Sequence, residues 1–297
     1  MIFIKRNSVE IPDILKEGSV KLQKELDEAI AHYSDPDNLK KAYKFKVYSN
    51  AKVKAALIEM GKGKCAYCEC DILATYVGDI EHFRPKGEIE ELKATGNSKP
   101  GYYWLAADWN NLLLSCRNCN QKSKQRTSSN DELNSMGKMN QFPLFDEAKR
   151  IRSHEDDLEQ EEKVRLLLNP CVEDPEEYFK YDINSGVIQP KKRKEFLKQR
   201  AVSSINVFAL QRVPLVHARA KRAIEISAQM QTVETAFRTY NNFYDAANAD
   251  THYLRDELKK QLKRLKGFLK EKEQFLGLAR QMIGKFMKNF NTEIEAT

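Results

Sequence analysis

Two short stretches decide how this sequence folds: Cys65–Glu69, "CAYCE", and Cys116–Asn120, "CRNCN". The chain has six cysteines, and four of them stand in these two Cys-x-x-Cys pairs. Redox chemistry, a disulfide framework and a metal knuckle are the three readings open to such pairs. A redox pair comes once, inside a thioredoxin-like βαβ pattern, whereas two pairs bring four soft thiolates to the tetrahedral corners that Zn²⁺ favours. Cys65, Cys68, Cys116 and Cys119 are therefore expected to hold a structural zinc, and Cys70 and Cys171 to be small buried hydrophobes.

Composition argues against the disulfide reading. At 297 residues, 41% hydrophobic and 31% charged, the chain can bury a real core and needs no covalent staples. The opening "MIFIKRNSVEIP" has no apolar signal-peptide core, and no run of about 18 apolar residues occurs, so a cytoplasmic protein without a membrane span is expected. In a reducing cytosol paired cysteines bind metal or do redox work. The net charge of +7 leans toward a polyanionic partner.

Outward from the cysteines, "SVKLQKELDEAIAHY" and "SNAKVKAALIEM" repeat apolar residues every three or four positions, which predicts two amphipathic helices, the second ended by Gly61 and Gly63. "TYVGDIEHF" and "WNNLLLS" are rich in β-branched, aromatic and aliphatic residues and too short for solitary helices, so they read as strands. "CNQKSKQR" reads as the start of a helix. The acidic run "SHEDDLEQEE", Ser153–Glu162, suggests a solvated loop with a soft domain boundary beside it. Beyond it, "KRKEFLKQRAVSSINVFAL" and "RAKRAIEISAQMQTVETAFRTY" are helical in pattern, and Leu254, Leu258, Leu262, Leu265 and Leu269 form a stripe suited to a core or partner seam. The basic "KKRK", Lys191–Lys194, is a weaker candidate for touching nucleic acid. The expected fold is α+β and mostly helical, with helices over 1–64, a cysteine-closed core over 65–150, and a mainly helical region over 151–297 for packing and partner binding. No internal repeat and no Gly-rich phosphate loop occurs.

Between the cysteine pairs lie "GDIEHFRPK" and "DWNNLLLSC". They set Glu81 beside His82, Arg84 and Lys86 around Pro85, Asn111 before the second pair and Asn120 at its end. That order, from Cys65 to about Lys124, resembles HNH nucleases: Cys-x-x-Cys, an acid-His pair followed by Pro, Asn-Leu, then Cys-x-x-Cys-Asn. The resemblance implies a zinc-stabilised ββα-metal core, with Glu81 and Asn120 holding a catalytic Mg²⁺ or Mn²⁺ and Asn111 tying the two strands and orienting the base. Chemistry assigns compatible roles. A histidine of ordinary pKa about 6.5 can be neutral near physiological pH and take a proton from water, so His82 is the expected general base. Carboxylate and amide oxygens suit hard cations, and Arg84, Lys86, Lys122 and Lys124 are candidate phosphate contacts. Many HNH sequences carry Asp where Glu81 stands; Asp79, two residues earlier, would share a strand face with it and is the rival ligand. His32, His154, His217 and His252 are expected to be surface or satisfied side chains.

A wider likeness covers roughly Cys65 to Arg219. "YYWLAADWNNLLLSCRNCN", "NQFPLF", "LLLNPCVEDPEEYF" with "SGVIQP", and "SSINVFALQRVPLVHAR" resemble the PtuB group, the HNH subunit of Septu and retron-linked antiphage systems. The likeness implies a PtuA-type ABC-like ATPase as partner and, in retron-linked versions, a reverse transcriptase with its RNA-DNA hybrid. It makes DNA the default substrate, with tRNA the alternative. A zinc-stabilised nucleic-acid-binding module or a zinc-bearing adaptor would use the cysteines and the basic residues, but has no need of Glu81, His82 and Asn120 together.

Overall fold

Two polar caps start the N-terminal helices. Ser19 Oγ accepts from Leu22 N at 3.4 Å and opens α1, Val20–Ser34; Asn50 Oδ1 accepts from Lys52 N at 2.9 Å and opens α2, Ala51–Met60. The computed structural model describes residues 1–73, 76–191 and 194–296, with side chains as far as residue 290. Thr75, Lys192 and Arg193, within the expected first strand and the "KKRK" run, lie outside the described residues.

In α2 the buried positions are Val53, Leu57 and Met60, one stripe at helical spacing that packs on strand β2, Leu112–Ser115. Strand β1, Asp79–His82, pairs antiparallel with β2 in the register Asp79↔Ser115, Ile80↔Leu114, Glu81↔Leu113 and His82↔Leu112. All four residues of β2 are buried, as its continuous apolar run predicts. A single helical turn follows, α3, Arg117–Asn120. Two strands and a helical turn thus occur in that order along the chain.

The helix expected from "CNQKSKQR" is corrected here. Gln121 turns extended, and the chain forms a hairpin of β3, Ser123–Thr127, and β4, Asn130–Met136. Gly137 explains the stop: at φ 126° it passes so close to Gln121 that a Cβ would collide with that carbonyl.

The acidic run is solvated over most of its length, as expected, and is corrected only at its end. Asp157 caps a short helix, α4, Leu158–Glu162, by accepting from Glu159 N at 2.9 Å. Glu161 within it is fully buried. Its carboxylate takes Arg84 Nε at 2.8 Å, Tyr102 OH at 2.8 Å and Ile151 N at 3.1 Å. Glu162 takes Arg84 Nη2 at 2.7 Å and Arg165 Nε at 2.8 Å. Against the upward push of burial, Arg165 and Arg84 hold the Glu162 carboxyl down to about 2. One residue at the end of a run that is otherwise open to solvent therefore makes a buried tie across the fold. Glu161→Ala is expected to cost about 3 kcal/mol, because it leaves a buried guanidinium short of charge. Urea unfolding checks this; a loss below about 1 kcal/mol would show that Glu162 alone suffices.

Among the described residues the chain continues, short 3-10 turns aside, with a small ribbon, β5 Phe179–Tyr181 with β6 Ile188–Pro190, and helices α5 Glu195–Val207, α6 Val213–Phe243, α7 His252–Gly267 and α8 Leu276–Ala296. Helices α7 and α8 both pack on α6, and Leu254 and Leu265 of the leucine stripe are buried. One cluster of buried apolar side chains includes Leu57, Leu113, Phe142, Leu167, Ile226 and Met282, so residues on both sides of position 151 share a core.

Candidate functional site

The four cysteines meet. One sulfur each from Cys65, Cys68, Cys116 and Cys119 lies within 4.8 Å of the others, and all four residues are buried. Backbone turns shape both knuckles: Cys65 N donates to Cys70 O at 2.9 Å and Glu69 N to Cys65 O at 3.0 Å, while Cys119 N and Asn120 N both donate to Cys116 O. Cys68 and Cys116 Sγ stand 3.8 Å apart, close to the edge of a tetrahedron with metal–sulfur bonds of about 2.3 Å. Burial pushes the Cys65 and Cys119 thiols well up, while hydrogen bonds from Cys116, Cys119 and Cys65 draw the Cys68 thiol well down. Such a cluster can hold a metal ion such as zinc. Cys70 is half-buried, with its thiol hydrogen-bonded to Cys68 and pushed up in pKa; Cys171 is half-buried elsewhere.

The pairing of β1 with β2 presents His82 to a cavity of about 440 Å³, also lined by Glu81, Lys86 and Asn120. His82 is 6% exposed. Its Nε2 lies 2.8 Å from the Ala106 carbonyl, which can only accept, so Nε2 carries the hydrogen and Nδ1 is left as the basic nitrogen. Lys86 Nζ stands 3.4 Å from Nδ1 and 4.7 Å over the Tyr48 ring, and Tyr48 meets the imidazole edge-on. Burial, with Lys86 next, pushes the His82 pKa well down and keeps the ring neutral. Asn111 fixes this geometry from behind. Its Oδ1 accepts from Arg84 N at 2.7 Å, and its Nδ2 donates to Arg84 O and Leu105 O at 3.0 Å. It thereby clips the end of β1 to the loop that carries Ala106.

The oxygens expected to hold a catalytic cation divide into two groups. Asn120 Nδ2 donates to Asp79 Oδ2 at 3.1 Å, so the rival ligand Asp79 touches Asn120 directly. Glu81 is buried; its Oε1 lies 2.8 Å from Lys138 Nζ but off the hydrogen-bonding direction, leaving a buried carboxylate oxygen without a hydrogen bond. Burial pushes its carboxyl up in spite of Lys138. Each of the three offers an oxygen of the kind hard divalent ions take, although Asp79 Oδ1 also accepts from Tyr76 OH and Glu81 faces Lys138.

Lys138 is the residue at this site that sequence reasoning misses. Fully buried, it donates to the His82 carbonyl at 2.8 Å as well as facing Glu81. Its own N–H bonds Cys119 O at 2.9 Å, and Met139 N bonds Asn120 O at 2.5 Å, so this segment joins the cysteine cluster to the cavity. Lys40, Lys41 and Lys99 also line the cavity, the first two from the segment between α1 and α2. The candidate phosphate contacts separate. Lys86 lines the cavity, Lys122 is ion-paired with Glu90, and Lys124 is exposed on the hairpin. Arg84 is spoken for by Glu161 and Glu162 inside the protein, so the expected phosphate role does not fit its position. None of the other four histidines lines the cavity.

Fold and site together define an α+β protein, mostly helical, with a cluster of four metal-competent cysteines beside a neutral buried histidine at a lysine-lined cavity. No family model matches the chain. It is 36% identical over 222 residues to Septu protein PtuB of Bacillus mycoides (strain KBAB4), a match covering 70% of this chain and 68% of that protein. The chain belongs to the PtuB family of Septu proteins. Septu protein PtuB of Bacillus thuringiensis is 35% identical over 89 residues, 29% of each chain. Septu protein PtuA of B. mycoides is 29% identical over 161 residues, 54% of this chain and 19% of that protein. These last two matches span under a third of the relatives' own lengths. Among the described residues no helix is long and apolar enough to cross a membrane.

Proposed function

We propose that this protein is a metal-dependent HNH endonuclease, the effector subunit of an antiphage defence complex with a PtuA-type ABC-like ATPase. The observation that carries the reading is His82: a neutral imidazole whose unprotonated Nδ1, approached by Lys86 Nζ at 3.4 Å, belongs to a cavity also lined by Glu81 and Asn120. The cavity is cationic, with Lys40, Lys41, Lys86 and Lys99 set against Glu81 and Glu88, and Glu81 already faced by Lys138. A phosphodiester is an anion of matching kind.

In this reading His82 Nδ1 takes the proton of the attacking water, and Ala106 O and Asn111 hold the ring for that transfer. Lys86 faces the charge that develops on the phosphoryl oxygens. Glu81, Asn120 and Asp79 would hold a Mg²⁺ or Mn²⁺ ion, which supplies charge stabilisation to the phosphoryl and leaving oxygens when bound. The four cysteines would hold Zn²⁺, which closes the framework and stays outside the reaction. DNA is the first substrate to test and tRNA the second, since both present the same phosphate. A retron reverse transcriptase with its RNA-DNA hybrid is a further proposed partner of the assembly.

The test is cleavage of plasmid DNA and bulk tRNA by the chain, alone and with the ATPase, in Mg²⁺ or Mn²⁺ against EDTA. Cutting that needs the divalent ion is expected on one substrate. Zinc-loaded protein inert on both substrates in every combination would favour the adaptor reading.

A further inference from the structure

The helical half reaches into the four-cysteine cluster. Arg212 precedes α6 and is 4% exposed. Its Nη1 lies 3.4 Å from Cys119 Sγ and its Nη2 3.9 Å from Cys116 Sγ, while Nη1 also donates to Ala209 O at 3.1 Å. The same corner is tied to the cysteine-bearing core twice more. Ser128 N of the hairpin turn bonds Gln211 O at 3.0 Å, and Tyr67, inside the first Cys-x-x-Cys pair, stacks on Phe208 with centroids 3.8 Å apart.

Charge explains why an arginine stands there. A divalent ion held by four thiolates carries two surplus negative charges, and burying that charge is costly unless a cation or hydrogen-bond donors face the sulfurs. Among the described residues, Arg212 is the guanidinium within hydrogen-bonding distance of the cluster. It cannot give up its proton at any working pH, and its planar fork reaches two sulfurs at once. Without the thiolates, in turn, the same guanidinium is a buried charge left with the Ala209 carbonyl as its recorded acceptor.

We propose that Arg212 is a positioning residue of the metal centre: it offsets thiolate charge at Cys116 and Cys119, so that metal retention and docking of the helical half depend on each other. The proposal rests on the reading that the cluster holds Zn²⁺. Arg212 does not touch the reacting atoms; it acts through Cys119, which is followed directly by Asn120.

Arg219 supplies the control. It lies on α6, is equally buried, and donates to Leu210 O at 2.7 Å, but has no hydrogen bond to a cysteine sulfur. Full-length wild type, Arg212→Met, Arg212→Lys and Arg219→Met are loaded with Zn²⁺ and titrated with a coloured chelator that reads the transferred metal. Arg212→Met is expected to weaken zinc by about 10- to 100-fold, as loss of a partner behind the ligands does elsewhere. Arg212→Lys should recover part of the loss and Arg219→Met should match wild type. In wild type, chelation should speed hydrogen exchange at the Phe208 and Leu210 amides, a readout that needs no variant to fold.

Unchanged zinc affinity in Arg212→Met overturns the proposal. So does an equal loss in Arg219→Met, which would place the effect in general loosening, and so does exchange at Phe208 and Leu210 that ignores chelation. Wild type that binds no zinc overturns the metal reading itself.

Discussion

His82→Ala is expected to lower phosphodiester cleavage by about 10²- to 10⁴-fold while the cysteine cluster is left intact, because a positioned base contributes that much in rate and the other polar groups of the site are engaged, Glu88 among them with Ser98, Asn140 and Lys93. Lys86 is a cation, and Lys138 is engaged by His82 O and faces Glu81. The carboxylates of Glu81 and Asp79 would be occupied with the divalent ion. The variant also leaves the buried Ala106 carbonyl without its donor and removes the ring that meets Tyr48 edge-on. A stability loss of about 1–3 kcal/mol is therefore expected beside the catalytic loss. His82→Gln separates the two effects, since an amide can still donate to Ala106 O but is no base at neutral pH. Cleavage should be lost in both variants, and stability should fall less in the glutamine form. The measurement is the single-turnover rate on the substrate that wild type cuts, with a thermal melt alongside. More than a tenth of wild-type rate in either variant would remove His82 from the role of base.

The cysteine quartet and the buried strand β2 were legible because their signals are local. Cys-x-x-Cys spacing is set by one turn of backbone, and a run such as "LLLS" states its own burial. Helices α1 and α2 were legible for the same reason, as each carries a buried stripe at helical period. What escaped is long-range charge pairing. Arg84 and Glu161 are 77 residues apart, Lys138 and His82 are 56 apart, and Arg212 and Cys119 are 93 apart. In sequence each of these side chains is one more charge in a chain that is 31% charged. Only the partner shows that it is inside, so Glu161, at the end of a run that is otherwise solvated, read as one more surface charge and Arg84 read as a phosphate contact. The β3–β4 hairpin escaped for a different reason. Its residues are mostly exposed on both faces, so there was no apolar alternation to mark it as strand.

Taking the metal from the four cysteines is expected to lower the melting temperature by about 15 °C or more. For a chain of this length a loss of about 10 kcal/mol corresponds to a shift of that size, and structural zinc sites contribute apparent energies of about 10–16 kcal/mol. The geometry argues for the upper part of the effect. The cluster is fully buried, so the emptied site must keep protonated thiols close together in the core or open to water. Opening is not confined to the knuckles. Cys65 N–H and Ala66 N–H tie the first pair to Cys70 and to Leu114 of β2, and Lys138 N–H ties Cys119 to the segment that faces His82 and Glu81. Arg212 and the Tyr67–Phe208 stack carry the disturbance into α5 and α6. Chelated wild type should therefore lose cleavage together with its melting transition and regain both when Zn²⁺ is returned, whereas Cys119→Ser should stay destabilised in excess zinc. Calorimetry of the zinc-loaded, chelated and reloaded protein decides the matter. A metal-free form that melts within about 3 °C of the loaded one would mean that hydrophobic packing alone closes the framework, and the four cysteines would then need another explanation for standing within 4.8 Å of one another.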